Sequence, residues 1–260
     1  MKLKVLIGLI AVPIVFALGW QLAHILYDNP FVFTGFTQTV LSFHRLFLPY
    51  FGAPSSYPNY PHGIIVPFKL TLFEILVAFA IASSLGIFVG MAIGYFKLIG
   101  QAYEPIVYVL YSIPGPILYP VMYLTLGIDP ASRIAIAIFL AIFPSIIIVS
   151  SGIRRTKQSY IRLAQSYGAS NAQIFSKVMI PSSAGAILAG IRISLVFSII
   201  GVIFAEVIAS ENGLGSVISI SSGSFDPGLM FSVIIILVLI VAGILVALAI
   251  IERLVMPYAH

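Results

Sequence analysis

The sequence of 260 residues contains no cysteine, and only 8% of its residues are charged. Without cysteine the chain can form no disulfide, no thiolate metal site and no cysteine nucleophile. An ordinary soluble domain carries about 25% charged residues, so this low content argues against a water-soluble protein and indicates one surrounded by lipid. The formal net charge of +5 does not indicate a nucleic-acid partner, because the placement of the basic residues follows the two sides of a membrane.

Because charged residues are few, the sequence contains long uncharged runs. Apolar residues make up 60% of the sequence, and five runs reach the length of about 20 residues that a membrane-spanning helix requires. These runs are 5–27, 75–96, 105–128, 134–153 and 227–251. A sixth and weaker run, 184–209, contains Arg192 and Glu206. The sequence therefore predicts an all-α polytopic membrane protein with about six transmembrane helices. Residues 1–66 would hold one helix and a loop, and residues 67–254 a core of five helices.

The third run is interrupted near its middle by residues 112–116 (Ser-Ile-Pro-Gly-Pro) and by Pro120. Proline kinks or breaks a helix, and irregular backbone at membrane depth is tolerated where it is buried in protein or lines a watery cavity. At helical spacing one face would carry Tyr108, Tyr111, Ser112, Tyr119 and Tyr123. We expect Tyr111, Ser112 and Tyr119 either to line a translocation pathway or to bond to neighbouring helices, and the sequence leaves both interpretations open.

Basic residues gather on one side of these runs. With the N-terminus inside, the cytoplasmic ends and loops hold Lys2, Lys4, Lys97, Arg154, Arg155, Lys157, Arg162, Lys177 and Arg253. This positive-inside bias predicts that both termini and the loop 154–181 are cytoplasmic and that the Pro- and Tyr-rich loop 28–66 is extracytoplasmic. Glu74 lies about two turns from the outer end of its span and can snorkel. Arg192 either snorkels or faces the bundle interior, where it would pair with a polar group or add positive potential to an anion's path.

The loop 154–181 is the longest polar, charged stretch of the chain, and its pattern is helical. One face of a short helix carries Tyr160, Leu163, Ala164 and Tyr167. Gly168 follows this helix at the position where a residue with left-handed backbone conformation commonly ends a helix. Ser170 and Gln173 have the spacing of a capping box that begins a second helix. The apolar side of that second helix consists of Ile174, Phe175 and Val178. Pro181 is expected to end it. A membrane protein that presents such a helix pair is expected to dock a partner onto it.

With these features the sequence resembles the membrane-spanning permease subunit of an ABC-type importer, in the branch that includes nitrate, sulfonate and taurine systems. The resemblance covers about residues 71–254. Its mark is a cytoplasmic loop that reads Glu-Ala-Ala, three residues, Gly, nine residues, then Ile-x-Leu-Pro. The matching positions here are Ala164, Gly168, Val178, Ile180 and Pro181, and further similar pieces are 113–114, Pro144, 152–154, 190–192 and 205–215. Arg162 stands at the motif's glutamate and Leu163 at its first alanine, so the loop is more basic than the family pattern.

The resemblance implies a pore-forming subunit in the cytoplasmic membrane whose loop docks in a groove of a separate ATPase. The residues carried over to this docking are Arg162, Leu163, Ala164, Tyr167, Gly168, Ala169, Phe175, Val178, Ile180 and Pro181. The implied partners are two ATP-binding-cassette subunits, a second permease copy or homologue, and an extracytoplasmic solute-binding protein. ATP would be bound by the separate subunit, because this chain has no Gly-x-x-x-x-Gly-Lys-Ser/Thr phosphate loop. We expect no cofactor, metal or enzymatic activity in this chain, and, by analogy with the branch, a small anion such as a sulfonate or nitrate as the solute.

Two other functions compete with this interpretation. A secondary transporter also uses broken helices at mid-membrane, but it normally needs coupling carboxylates or histidines deep in the bilayer. Only Glu74 and Glu206 are available, both near an outer end. An intramembrane enzyme would need acid–base groups inside a span, and the only candidate histidine, His24, lies at the edge of one. Co-purification of an ATPase would separate the importer from both alternatives.

Overall fold

The structure of the chain, a computed structural model, describes residues 2–27, 34–127, 130–209 and 211–255. Within those residues every regular element is a helix, so the predicted all-α class is confirmed. Residues 28–33, at the start of the predicted extracytoplasmic loop, lie outside the described residues. So do residues 128–129, where the third apolar run ends, and residues 256–260, at the predicted cytoplasmic C-terminus.

The helices of the described chain are α1 (Lys2–Tyr27), α2 (Phe36–Ser42), α3 (Ile65–Tyr95), α4 (Lys97–Tyr111), α5 (Gly115–Leu126), α6 (Pro130–Arg154), α7 (Gln158–Ser166), α8 (Asn171–Ile174), α9 (Ile180–Ser182), α10 (Ala184–Ala209), α11 (Leu214–Gly223) and α12 (Pro227–Val255). Two 3₁₀ turns, Phe43–Phe47 and Pro49–Gly52, follow α2, and a π turn, Phe175–Met179, joins α8 to α9. Among the described residues, α3, α6, α10 and α12 are long and apolar enough to cross a membrane. They confirm four of the predicted spans, including the weak run 184–209, and α1 occupies the first predicted run.

The predicted third span is a bent pair of helices rather than one helix. The axes of α4 and α5 differ by 89°, so the pair supplies a fifth span only if it is counted as one broken helix. Pro114, which has no N–H group, takes an extended conformation between the two helices (φ −63°, ψ 117°). The predicted break is therefore confirmed. The predicted single face of tyrosines is wrong, because the bend separates an exposed Tyr108 from a buried Tyr119.

The described residues form two compact units. Unit 1 comprises residues 1–70 and 206–240, and unit 2 comprises residues 71–205 and 241–260. The core of unit 2 forms where α3, α6 and α10 meet, and its buried members are Ile75, Ala78, Ala137, Leu195, Ile199 and Val202.

A row of glycines lets α3 lie close to α6 in unit 2. A Cβ atom added to Gly90 would lie 2.8 Å from the Cβ of Val149, and one added to Gly94 would lie 2.7 Å from the Cβ of Ile153. Both distances are shorter than van der Waals contact, so only glycine fits. Gly90 and Gly94 stand four residues apart, so they lie on one face of α3, and small residues at this spacing are typical of close helix packing in membranes.

A buried aromatic cluster holds the turns of segment 43–64 in unit 1. The ring of Phe51 lies 5.3 Å from the rings of both Tyr57 and Tyr60. The Tyr57 hydroxyl donates a hydrogen bond to Asp226 Oδ2 at 3.2 Å. Burial raises the pKa of Tyr57 to about 12, so this hydroxyl stays protonated and remains a donor at physiological pH.

Candidate functional site

The helical knob, residues 158–182, is the polar stretch that the sequence predicts as two helices joined at a glycine. After α7 the backbone turns at Gly168, whose φ of +75° is left-handed, and Gly168 N donates to Gln165 O at 2.9 Å. The capping box is present as predicted. Gln173 N donates to Ser170 Oγ at 3.3 Å, and Ser170 N donates to Gln173 Oε1 at 2.8 Å. The predicted joint is thus confirmed in its backbone and in its cap.

One side of the helical knob packs on the ends of α3 and α6. On the knob this side consists of Ile161, Ala164, Ala169, Ile174, Phe175 and Met179, and beneath it lie Met91, Tyr95 and Ile153. The rings of Tyr95 and Phe175 lie 4.5 Å apart, and the Tyr95 hydroxyl donates to Asn171 O at 3.4 Å. Because apolar side chains interlock here, a displacement of the knob would be passed to both helices.

The other side of the helical knob exposes large apolar side chains. Tyr160, Leu163 and Tyr167 are 48%, 57% and 84% exposed. The predicted apolar face is therefore divided, because Ala164 is half-buried and belongs to the packed side. Arg162 is exposed beside the three large side chains. Exposed apolar groups that are rimmed by polar residues mark a surface that binds a partner.

The second helix of the knob continues past the proline that the sequence predicts as its end. It remains helical through Ser182, because Ile180 N donates to Phe175 O, five residues earlier, in a π turn. This wider turn accommodates the ring of Pro181, which in an α-helix would meet the carbonyl four residues before it. Val178 and Ile180 are half-buried, whereas Pro181 is exposed.

Arg154, the last residue of α6, fastens the base of the helical knob. One guanidinium nitrogen lies 2.5 Å from Glu104 Oε2 on α4, and the other donates to Ile93 O on α3 at 3.1 Å. Three helices therefore meet at one side chain directly before the knob begins. Sequence reasoning missed this contact, because Glu104 precedes Arg154 by 50 residues and no local spacing links them.

A cavity of about 220 Å³ opens at the break between α4 and α5. It is lined by residues 111–115 of the break, by Phe139, Leu140 and Phe143 of α6, and by Phe197 of α10. Two of the predicted pathway residues, Tyr111 and Ser112, thus lie on its wall. Tyr119 does not, because it is buried with its ring 6.3 Å from that of Phe204. No Asp, Glu, Lys, Arg or His lines the cavity, and the described residues contain no group of three His, Asp or Glu side chains that could hold a metal ion.

Arg192, the fourth predicted pathway residue, forms an ion pair away from the cavity. It lies on α10 and contacts the carboxylate of Glu252 on α12. The Arg192 side chain is 58% exposed and that of Glu252 is 8% exposed. The contact agrees with the interpretation that Arg192 pairs with a polar group between helices, while any part in the solute's path stays a prediction.

A buried ion pair between Glu74 and Arg133 is a second feature of unit 2 that the sequence did not reveal. Arg133 Nε lies 2.9 and 3.0 Å from the two carboxylate oxygens of Glu74, and one terminal guanidinium nitrogen lies 2.6 Å from Oε1. Their side chains are 0% and 4% exposed. The prediction that Glu74 snorkels is therefore wrong. The available signal was that each charge stands alone near the same end of its own apolar run.

Known proteins with similar sequence and fold match most of this chain. The family model described as "binding-protein-dependent transport system inner membrane component" matches residues 64–257. A probable ABC transporter permease of Brucella melitensis is 32% identical over 56% of this chain and 59% of its own length. The taurine transport system permease of Escherichia coli is 35% identical over 60% of this chain and 56% of its own length. The aligned stretch thus spans less than two thirds of either relative.

Among solved structures, a chain of the methionine ABC transporter MetNI in an inward-facing conformation has a TM-score of 0.61 and 20% identity. The match covers 73% of this chain and 96% of that one. At this identity the match shows a shared fold and nothing more. The family model covers nearly three quarters of the sequence, including α3, the bent pair and the whole helical knob. The chain belongs to the family of binding-protein-dependent transport system inner membrane components.

Proposed function

We propose that this chain is the pore-forming subunit of an ATP-driven importer that moves a small solute across the cytoplasmic membrane by alternating access. The observation that carries the proposal is the helical knob, which exposes Tyr160, Leu163 and Tyr167 on one side and is packed on α3 and α6 by the other. A surface of this kind can receive force from a partner and pass it into the spans. Family membership supports the same role.

The partners follow from this role. We propose that the helical knob faces the cytoplasm and docks in a groove of an ATP-binding-cassette ATPase, one of two in the complex. A second permease copy or homologue completes the pore, and an extracytoplasmic binding protein delivers the solute. The basic residues of the loop support the cytoplasmic placement, since positive charge favours that side. The exposed Arg162 and Leu163 would contact the groove, whereas Phe175 and Ala169 would hold the knob in shape.

The helix α6 connects the proposed docking surface with the proposed pathway. Its residues Phe139, Leu140 and Phe143 line the cavity, and its last turn carries Ile153 beneath the knob and Arg154 at the base. A tilt of α6 that starts at the knob would therefore change the cavity wall. The solute's path would pass Tyr111 and Ser112 at the break between α4 and α5.

The solute is proposed only as a small molecule, with an anion as the preferred class. The taurine relative supports a sulfonate-type solute, but the cavity has no basic side chain on its wall to receive such a charge. In this arrangement the binding protein would make most of the selection.

Site-directed crosslinking tests the docking. Leu163→Cys, in a chain without native cysteine, should form a crosslink to an ATPase that co-purifies with the complex. Gln165→Cys is the matched control, because it is also exposed but lies about 200° further around α7. Equal crosslinking at both positions, or no co-purifying ATPase, would contradict the proposal.

Uptake into proteoliposomes separates the importer from a secondary transporter. ATP inside the vesicle lumen that corresponds to the cytoplasm should drive uptake, and collapse of ion gradients should leave it unchanged. Uptake that follows an ion gradient without ATP would instead establish a secondary transporter. Of the two carboxylates that the alternative could use, Glu74 is engaged by Arg133, and Glu206 accepts a hydrogen bond from Gly215 N at 2.8 Å.

A further inference from the structure

Residues 34–45 belong to the loop that the sequence places outside the membrane, and they precede the family match, which begins at residue 64. From residue 29 to residue 44 the sequence contains no Asp, Glu, Lys or Arg. An uncharged stretch of this kind is too short to span a bilayer but suits a re-entrant or interfacial segment. Its depth can be measured against the ends of α1 and α12, its neighbours in unit 1.

The start of the segment lies beside α1 and below the end of that helix. Trp20 Nε1 donates to Thr34 O at 2.9 Å, and a Cβ atom on Gly35 would lie 2.8 Å from His24 Cδ2. Since α1 ends at Tyr27, Trp20 and His24 lie about 10 and 5 Å before its end at 1.5 Å per residue. Residue 34 therefore lies alongside the last turns of α1.

From there the segment runs along the first turns of α12 in the opposite direction. Its contacts in chain order are Thr39 with Ser232, Ser42 with Gly228, and Arg45 with Asp226. Ser232 Oγ donates to Thr39 O at 3.0 Å. Since α12 begins at Pro227, Ser232 lies about 7.5 Å along that helix. Two independent neighbours thus give the segment the same depth.

Three hydroxyl groups of the segment are hydrogen-bonded within the protein, as lipid requires of polar groups at membrane depth, whereas Thr37 and Gln38 are exposed. Thr34 Oγ1 donates to Gln38 Oε1 at 2.9 Å, Thr39 Oγ1 to Gly35 O at 3.1 Å, and Ser42 Oγ to Gln38 O at 2.9 Å. Thr34 and Thr39 are buried. The ion pair of Arg45 and Asp226 appears only where the segment reaches the residue directly before α12.

The exposed side chains of α2 include the apolar Val40 and Leu41 as well as the polar Thr37 and Gln38. Val40 and Leu41 are 48% and 66% exposed. The α1 side chains Leu18 and Leu22, which have no charged neighbour on their helix, are exposed to a similar degree, at 65% and 57%. Leu22 lies about 7.5 Å before the end of α1, so both helices expose apolar side chains at a similar depth.

We propose that residues 34–45 form a shallow re-entrant element in the bilayer, with Val40 and Leu41 in contact with acyl chains. The segment enters beside α1 to a depth of about 7–10 Å and returns to the interface at Arg45. Its occupant is lipid because Val40 and Leu41 are exposed at the depth of the exposed Leu22 on α1, because no Asp, Glu, Lys or Arg precedes Arg45 in the segment, and because the hydroxyl groups of Thr34, Thr39 and Ser42 are hydrogen-bonded within the protein. The loop predicted for residues 28–66 is thus partly a membrane segment.

Spin labelling tests the element without reference to transport or to any partner. Leu41→Cys is labelled with a nitroxide in liposomes, and collisions with oxygen, which concentrates in lipid, are compared with collisions with a water-soluble nickel complex. Leu22→Cys on α1 is the lipid-facing control, and Ser55→Cys, exposed in the Pro-rich turns, is the aqueous control. The ratio of oxygen to nickel collisions at residue 41 should be several-fold above that at residue 55 and close to that at residue 22.

Two results would overturn the proposal. Nickel access at residue 41 equal to that at residue 55 would make the segment an aqueous loop. Low access to both reagents would place a protein, a second copy or a binding protein, over this face. Val40→Cys provides a second reading at the same surface if the Leu41 variant does not assemble. Since the measurement needs only the inserted chain, its result is independent of whether the importer proposal holds.

Discussion

The interior of unit 2 and its surface near the helical knob each contain an ion pair of similar length. The pair of Glu74 and Arg133 closes at 2.6 Å with side chains 0% and 4% exposed, and the pair of Glu104 and Arg154 closes at 2.5 Å with side chains 30% and 39% exposed. Water screens the second pair and can hydrate either member alone. Neither member of the first pair can be hydrated if the other is removed. Although the two pairs are of similar length, removal of one member is therefore expected to cost much more stability in the buried pair than in the exposed pair.

The same two regions use glycine for different reasons. Gly90 in the interior has ordinary helical backbone, but an added Cβ would lie 2.8 Å from Val149. Gly168 at the surface has nothing within 4 Å of an added Cβ, but its φ is +75°. The interior requires space and the surface requires a backbone conformation. A substitution can therefore be chosen that violates either the requirement for space or the requirement for a left-handed backbone, but not both.

The largest expected effect is the loss of one member of the buried pair. Glu74→Ala leaves the Arg133 charge in the protein interior and should destabilise the chain by about 3–5 kcal/mol, measured by denaturation in detergent. Glu104→Ala is the surface control and should cost about 1 kcal/mol or less. The double variant Glu74→Met with Arg133→Leu should recover most of the stability. Equal losses for Glu74→Ala and Glu104→Ala would remove the distinction between interior and surface.

The next effect concerns space in the interior. Gly90→Ala adds only a Cβ, which must displace Val149 or α6, and should cost about 1–3 kcal/mol of stability. Val149→Ala in the same chain should relieve part of that loss, since it shortens the side chain on the opposing helix. A Gly90→Ala variant as stable as the parent would show that α3 and α6 can separate freely.

The ion pair of Arg192 and Glu252 is intermediate in burial, because the Arg192 side chain is exposed and the Glu252 side chain is buried. Arg192→Gln leaves the Glu252 carboxylate without its charge partner and should cost about 1–3 kcal/mol. Arg192→Lys should retain most of the folded protein. Normal assembly of Arg192→Gln with weakened uptake would instead assign Arg192 to the solute's path, and wild-type behaviour of both variants would leave it without either role.

The smallest effect on stability is expected at the surface glycine, although its effect on transport should be large. Gly168→Val strains a left-handed backbone by on the order of 1 kcal/mol or more and should abolish solute-stimulated ATP hydrolysis while the protein still inserts. Gly168→Asn should keep the stimulation, because asparagine tolerates this conformation. Gly185→Val is the control, with equally open space and no positive φ. If an assembled Gly168→Val complex showed wild-type stimulation of ATP hydrolysis by the solute, the turn at Gly168 would not be required for coupling.

Local chemistry made much of this molecule predictable from its sequence. The spans α3, α6, α10 and α12 follow from long apolar runs, and the break at Pro114 follows from a missing N–H group. Gly168 and the capping box at Ser170 were also predicted, since both depend on neighbours within a few residues. In each case the determinant lies in the same stretch of chain as the structure that it determines.

Features that depend on distant partners were not predictable in the same way. Glu74 and Arg133 are 59 residues apart. The hydrophobic pattern shows that each directly precedes an apolar run, but it does not show that the two side chains meet. The face with Ala164 was predicted as one surface, because periodicity cannot tell the side packed on Ile153 from the side left open. The helix continues past Pro181 because of the π turn at Phe175–Met179, and no residue preference in the sequence predicts that turn.

The buried ion pair also sets an order of events during biosynthesis. Glu74 leaves the ribosome 59 residues before Arg133, and at about 5–20 residues per second that interval lasts roughly 3–12 s. Throughout that time α3 carries a carboxyl group with no partner yet made. Until α6 follows, this carboxyl group must stay hydrated at the membrane surface or be transferred alone, and entry of α3 and α6 into the bilayer's core as a pair would avoid the cost of transferring it alone.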